Sequence, residues 1–211
     1  MPEPFFVDPG DAPGKQAILR ASLALFAEHG IDSTSVRDIG ARAGFTNPAL
    51  FRHFAGKGAL AQQLFERIFR GFRACLPLVD DQPFEAQLRA TLTAYLAFFE
   101  SDLPAALYLQ ENLRRLWPRI PEELRQQSLI RHFKDLFRVG VRQGFISRED
   151  DPGLLVALLA GLLGQLARQL YFGETPGPAT ALLEDIHRLV LRGLTRGSAP
   201  GAPWQPPIQA F

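Results

Sequence analysis

The chain of 211 residues holds one cysteine, Cys75, so no disulfide can form within it, a composition that suits a reducing compartment. Its four histidines, His29, His53, His132 and His187, are scattered, and none stands at metal-ligand spacing from a second histidine or a cysteine. There is no GxSxG elbow, no Walker loop and no dinucleotide fingerprint. The protein is therefore expected not to be an enzyme and to need no metal and no cofactor. The opening MPEPFFVDPGDAPG lacks a basic stretch and a long apolar run, so it does not read as a signal peptide. The longest apolar run, Leu154 to Gly164, has 11 residues, too few to span a bilayer. A cytoplasmic chain without a membrane partner is expected. Period-two alternation and internal repeats are missing too, which leaves an all-α protein of about nine helices.

What is present is a large apolar fraction, 46% of residues, enough for a sizeable core without staples. Net charge is only +1, but its distribution is uneven. Residues 15–60 carry six Lys or Arg against three acids, whereas the first 14 residues carry three acids and no base. Positive charge gathers where a phosphate backbone would need it.

That same stretch reads as three short helices. The first buries Ala17, Ile18, Ala21, Leu25 and Phe26 at helical spacing and stops at Gly30, a residue suited to a left-handed cap. Ser33, Thr34 or Ser35 can cap a second helix marked by Val36, Ile39 and Ala43 and ended by Gly44. Thr46 or Asn47 caps a third, with Pro48 in its first turn. Leu50 and Phe54 then face inward, while Thr46, Asn47, Ala49, Arg52 and His53 face out. The outward face bears no acid and suits base edges in a major groove.

The run Thr34-Ser35-Val36-Arg37-Asp38-Ile39, then Ala43-Gly44-Phe45, then Leu50-Phe51-Arg52-His53-Phe54, with Lys57 and Leu60, resembles the DNA-binding signature of TetR-type repressors. Phe51 stands where the family usually has tyrosine. Gly40 replaces a usual alanine, and Ala55-Gly56 and Gly58 replace more polar residues. The resemblance implies an all-α homodimer with an N-terminal helix-turn-helix head and a C-terminal ligand and dimerisation domain. It also implies that Arg37, Thr46, Asn47, Pro48, Ala49, Phe51, Arg52, His53 and Lys57 meet double-stranded DNA. Arg37, Arg52 and Asn47 have the geometry to read bases. Lys57 and Thr46 suit phosphates.

The expected segments are an N-terminal tail (1–14), a DNA-binding domain (15–60), a helical body (61–196) and a proline-rich tail (197–211). Within the body, helices are expected over 57–75, 84–100, from 102 to before Pro118, from 121 to Gly144, 152–172 and 179–196. Aromatics crowd its middle. Tyr95, Phe99, Tyr108, Asn112, Trp117, Phe133, Phe137 and Gln165 are the expected ligand contacts, since apolar walls with sparse polar groups describe a small-molecule pocket as well as an ordinary core. Glu111 would favour a cationic effector and Arg168 an anionic one. Ala157, Ala160, Gly161 and Gly164 form a small-residue stripe that lets a second helix approach closely. With Ile186 and Val190 on the last helix they are the expected dimerisation residues. Cys75 is expected to be a buried small apolar group.

The functional expectation is a bacterial, ligand-responsive repressor that binds a palindromic operator as a homodimer and releases it on binding a small apolar or aromatic molecule. The alternative is a ligand-independent DNA-binding regulator or architectural protein.

Overall fold

The structure is a computed structural model in which residues 5–46 and 50–194 are described. All regular elements among them are helical. Three of the expected DNA contacts, Asn47, Pro48 and Ala49, and the expected tail 197–211 lie outside the described residues.

Helix α1 spans Pro13–Ser33. Gly30 does not end it but kinks it, with φ 79° and ψ 162°, and a last turn follows that buries Ile31. The Thr34 hydroxyl holds this end by donating to the Gly30 carbonyl at 2.8 Å. Helix α2, Val36–Ala43, starts at a capping box: Ser35 Oγ accepts from the Asp38 amide and the Asp38 carboxylate accepts from the Ser35 amide. Hydrogen bonding from the Ser35 side chain and the Ser35 backbone amide keeps the Asp38 carboxyl below its usual range. Gly44, at φ 74°, closes the helix in the left-handed region. Arg42 forks onto Glu28 with two bonds of 3.1 Å, tying α2 to α1.

Helix α3, Lys57–Cys75, is the long strut between head and body; Leu60, Leu64, Phe65, Ile68, Phe69 and Phe72 are buried along one side. Helix α4, Phe84–Ser101, runs to Asp102, whose carboxylate caps α5, Leu103–Glu111. Burial raises the Asp102 carboxyl above its ordinary value. The expected helix up to Pro118 is broken at Asn112, so α6 is only Leu113–Leu116, followed by a 3-10 turn at Trp117–Arg119. The expected helix from 121 to 144 is broken too. Helix α7 covers Glu122–Arg125, and Ser128 caps a new helix, α8, Leu129–Arg142. Helix α9, Pro152–Tyr171, is capped by Asp151, and α10 is Leu183–Leu194 after a 3-10 turn at Ala179–Leu182.

One hydrophobic cluster runs from Phe6 to Leu194 without a break between the expected head and body. Its hub is α5, which packs against α1, α3, α4 and α9. Five successive residues, Ala105 to Leu109, are buried there, the pattern of a helix surrounded on all sides. Tyr108 stacks on Phe26 of α1 at 5.9 Å and donates its hydroxyl to the Ala61 carbonyl of α3 at 2.9 Å. The body is thus wedged directly under the head.

Two further features concern the N-terminal residues and Cys75. Within the tail 1–14, residues Phe6 and Val7 are buried, and Phe5 lies against Phe98 at 5.1 Å. Asp11 pairs with Arg67 and Lys15, and those hydrogen bonds depress its carboxyl. Residues 5–11 form an arm docked on α3 and α4. It passes Gly71, where a Cβ would lie 2.3 Å from the Phe5 ring, so only glycine leaves room. Cys75 is exposed rather than buried, because it falls on the outer side of the last turn of α3.

Candidate nucleic-acid interface

Short helices hold their outward groups in place only through packing beneath them. Here Ile39 and Leu50 are fully buried, and Phe54 nearly so. The Leu50 amide donates to the Thr46 carbonyl at 3.2 Å, and the His53 and Phe54 amides donate to the Leu50 carbonyl, so this turn is helical. With Leu50 and Phe54 locked inward, Arg37, Thr46, Phe51, Arg52 and His53 all point to solvent. Phe51 is 53% exposed, an unusual position for a phenyl ring. The start of α1 borders the same face, since a Cβ on Gly14 would touch Phe45 at 3.2 Å and His53 Nε2 at 3.5 Å. The docked arm therefore leads straight into the reading face.

Lys57 is also engaged within the chain. Its ammonium donates to the carbonyls of Thr34 at 2.7 Å and Asp32 at 3.1 Å. It neutralises the carbonyl end of α1 and joins α3 to the head. Arg115 from α6 grips the Asp32 carboxylate of the same α1 end with contacts of 2.7 and 2.8 Å. Neither link has a spacing signature, since Lys57 lies 25 residues from Asp32 and Arg115 lies 83 from it.

The expected ligand contacts divide. Tyr95, Phe99, Tyr108, Phe133 and Phe137 are all buried core residues, and burial pushes both tyrosine hydroxyls above their ordinary values. Tyr95 accepts a bond from Gln110. Asn112 is spent on the Tyr108 carbonyl at the helix break, and Trp117 packs edge-on to Phe69 at 5.3 Å. Gln165 is exposed and accepts from Arg168 on the outside of α9. Glu111 and Arg168 are also exposed. Two openings of ligand size border α8 instead. One, about 610 Å³, lies between it, the end of α3 and the loop after α3; the other, about 500 Å³, lies towards the start of α9.

The expected dimerisation residues divide as well. Ala157 and Gly161 are exposed, Ala160 and Gly164 half-buried, and a Cβ at Gly161 would meet nothing within 4 Å. Ile186 and Val190 instead face the chain's own core, with α10 packed on α4. The outward apolar residues beside the stripe are Leu154, Leu158 and Leu189, each more than half exposed. By length and composition Pro152–Tyr171 could cross a membrane, yet it packs on α5 and α8 and keeps only one face uncovered.

Two packed helices followed by a helical turn at Leu50, which exposes an acid-free face over a buried leucine and phenylalanine pair, have the layout of a helix-turn-helix unit, here mounted on an all-helical body. Residues 18–64 match the model of bacterial regulatory proteins of the tetR family. The chain carries the DNA-binding domain of that family. It is 27% identical over 191 residues to the HTH-type transcriptional repressor KstR2 of Mycobacterium tuberculosis, covering 85% of this chain and 92% of that one. The TetR family transcriptional regulator PfmR from Thermus thermophilus superposes with a TM-score of 0.69 at 27% identity, covering 85% and 99%. The regulator FadR from Bacillus subtilis, solved in complex with stearoyl-CoA, superposes with a TM-score of 0.65 at 18% identity, covering 84% and 97%.

Proposed function

We propose that the chain is a transcriptional repressor that grips a palindromic operator as a homodimer and releases it on binding a small, largely apolar effector. The outward set Arg37, Thr46, Phe51, Arg52 and His53 carries the DNA half of this reading. Arg37 and Arg52 each present the fork that fits guanine, Thr46 suits a phosphate, and Phe51 suits a thymine methyl. One such turn discriminates little, whereas two on a rigid dimer read an inverted repeat. The uncovered face of α9, with Leu154, Ala157, Leu158 and Gly161, supplies the surface for that pairing, and Leu189 of α10 extends it. A repressor of similar length, KstR2, and a structural neighbour that holds stearoyl-CoA support the regulatory and effector parts.

The switching element in this reading is α3. It is bonded to the head through Lys57 and buried in the body through Phe69 and Phe72. Any tilt of α3 changes the spacing of two reading turns, so an effector that prefers the tilted state must be weakened by DNA to the same degree. The complete burial of Phe133, Phe137 and Tyr108 favours the ligand-independent alternative, since the aromatic centre is filled by the chain itself. Titration of octanoyl-CoA into wild-type protein, with and without a DNA fragment selected from a random library, separates the two. Release of the fragment supports the effector reading; equal binding of octanoyl-CoA in both titrations supports the alternative.

A further inference from the structure

The groove of about 610 Å³ is lined by four arginines and three aspartates. Two of the arginines are matched: Arg142 pairs with Asp81 at 3.3 Å, and Arg138 with Asp135. The Asp80 carboxylate accepts the Gln82 amide at 2.9 Å. The remaining two guanidiniums meet no carboxylate among the described residues. Arg131 donates to the neutral Gln126 side-chain oxygen, and Arg73 reaches only the Leu76 carbonyl at 3.4 Å. Arg73 Nε is buried with no acceptor at all. A buried charged donor without an acceptor is costly, and an oxygen placed there would remove that cost.

Three further observations give the missing acceptor a sign and a shape. The groove takes in Gln127 and Ser128, the lead into the 14-residue helix α8, whose positive end favours an anion. His132, 5% exposed at the groove floor, has its Nε2 at 3.1 Å from the Thr91 hydroxyl. Burial, helped by the Arg73 charge, keeps that imidazole neutral at pH 7. The two unmatched guanidiniums are thus the cations available to a ligand. Leu78, 80% exposed, and Val79 add an apolar wall beside them.

We propose that this groove binds an amphiphilic anion, with carboxylate or phosphate oxygens between Arg73 and Arg131 and an apolar part along Leu78 and Val79. Its effect on DNA rests on the effector reading above, whereas the binding itself does not.

The test is calorimetric titration of the full chain with octanoate, octyl phosphate and the neutral octanol. Both anions bind and octanol binds at least about tenfold more weakly. The tighter of the two anions identifies the source as a free acid or a phosphate ester. Arg131→Ala, at an exposed position, lowers anion affinity about tenfold, and Arg73→Gln does the same where circular dichroism shows an intact fold. Equal binding of octanol and octanoate, or unchanged binding in Arg131→Ala, overturns the proposal. Anion binding that leaves a selected DNA fragment in place keeps the groove and removes the effector reading. Release of the fragment that survives Arg131→Ala keeps the effector reading and overturns the groove as its site.

Discussion

Acid should destabilise this fold through His132 as pH falls below about 6.5. The imidazole is held at about 4 against an ordinary value of 6.5, first by burial and then by the Arg73 charge. Between those values the unfolded chain takes up a proton that the folded chain refuses. Stability therefore rises with pH through this window, is fully present above about pH 7, and is lost as pH falls from about 6.5 towards about 4. Linkage between the two values gives a loss of about 1 kcal/mol at pH 6 and about 2 kcal/mol at pH 5 from this one group. The substitution His132→Gln keeps a side chain able to bond the Thr91 hydroxyl but cannot titrate. Urea unfolding of both proteins at pH 7 and pH 5 isolates the effect. The wild type should lose about 2 kcal/mol more than His132→Gln over that interval. Equal losses would mean that His132 is protonated inside the fold, and would refute both its burial and its neutrality beneath the groove.

Lys57→Met removes two charge-assisted bonds to the end of α1 and should cost about 1–2 kcal/mol in urea unfolding, besides weakening DNA of any sequence; full stability would return Lys57 to a pure phosphate contact. Gly161→Leu should leave the protomer's unfolding midpoint nearly unchanged, because space is open there, but should disrupt a dimer packed on α9, read by sedimentation equilibrium; an intact dimer would move the interface elsewhere. Phe6→Ala should cost about 3 kcal/mol as a buried phenylalanine truncation, and Gly71→Ala should free the arm, read as faster proteolytic cleavage before Pro13; unchanged cleavage in Gly71→Ala would contradict the docked position of Phe5.

The head is legible in the sequence because its determinants are local. Gly44, Ser35 with Asp38, and the Leu50–Phe54 pair act within a few residues, so spacing locates the inward side and narrows the second helix's cap to Ser33, Thr34 or Ser35, of which the structure selects Ser35. The body is legible only in outline. Asn112 and Ser128 break long apolar patterns that period counting reads as continuous, because a cap overrides propensity at one residue. Gly30 reads as a stop because positive φ usually ends a helix, yet tertiary burial of Ile31 carries one more turn past it. The arm, the Arg115–Asp32 link and the groove around Arg73 join segments far apart in the chain, and such pairings leave no periodic trace. Ile186 and Val190 show the same limit: a helix face marked apolar by sequence has no label saying whether its own chain or a second copy covers it.

The most direct test of the repressor reading is selection of DNA by the purified chain, followed by footprinting of the selected sites with wild type, Arg52→Ala and Arg37→Ala. The predicted result is an inverted repeat whose half-sites lie about one helical turn, roughly 34–36 Å, apart, with base preference altered in at least one arginine variant. Enrichment of no sequence, or a single unrepeated site read equally well by both variants, would contradict it.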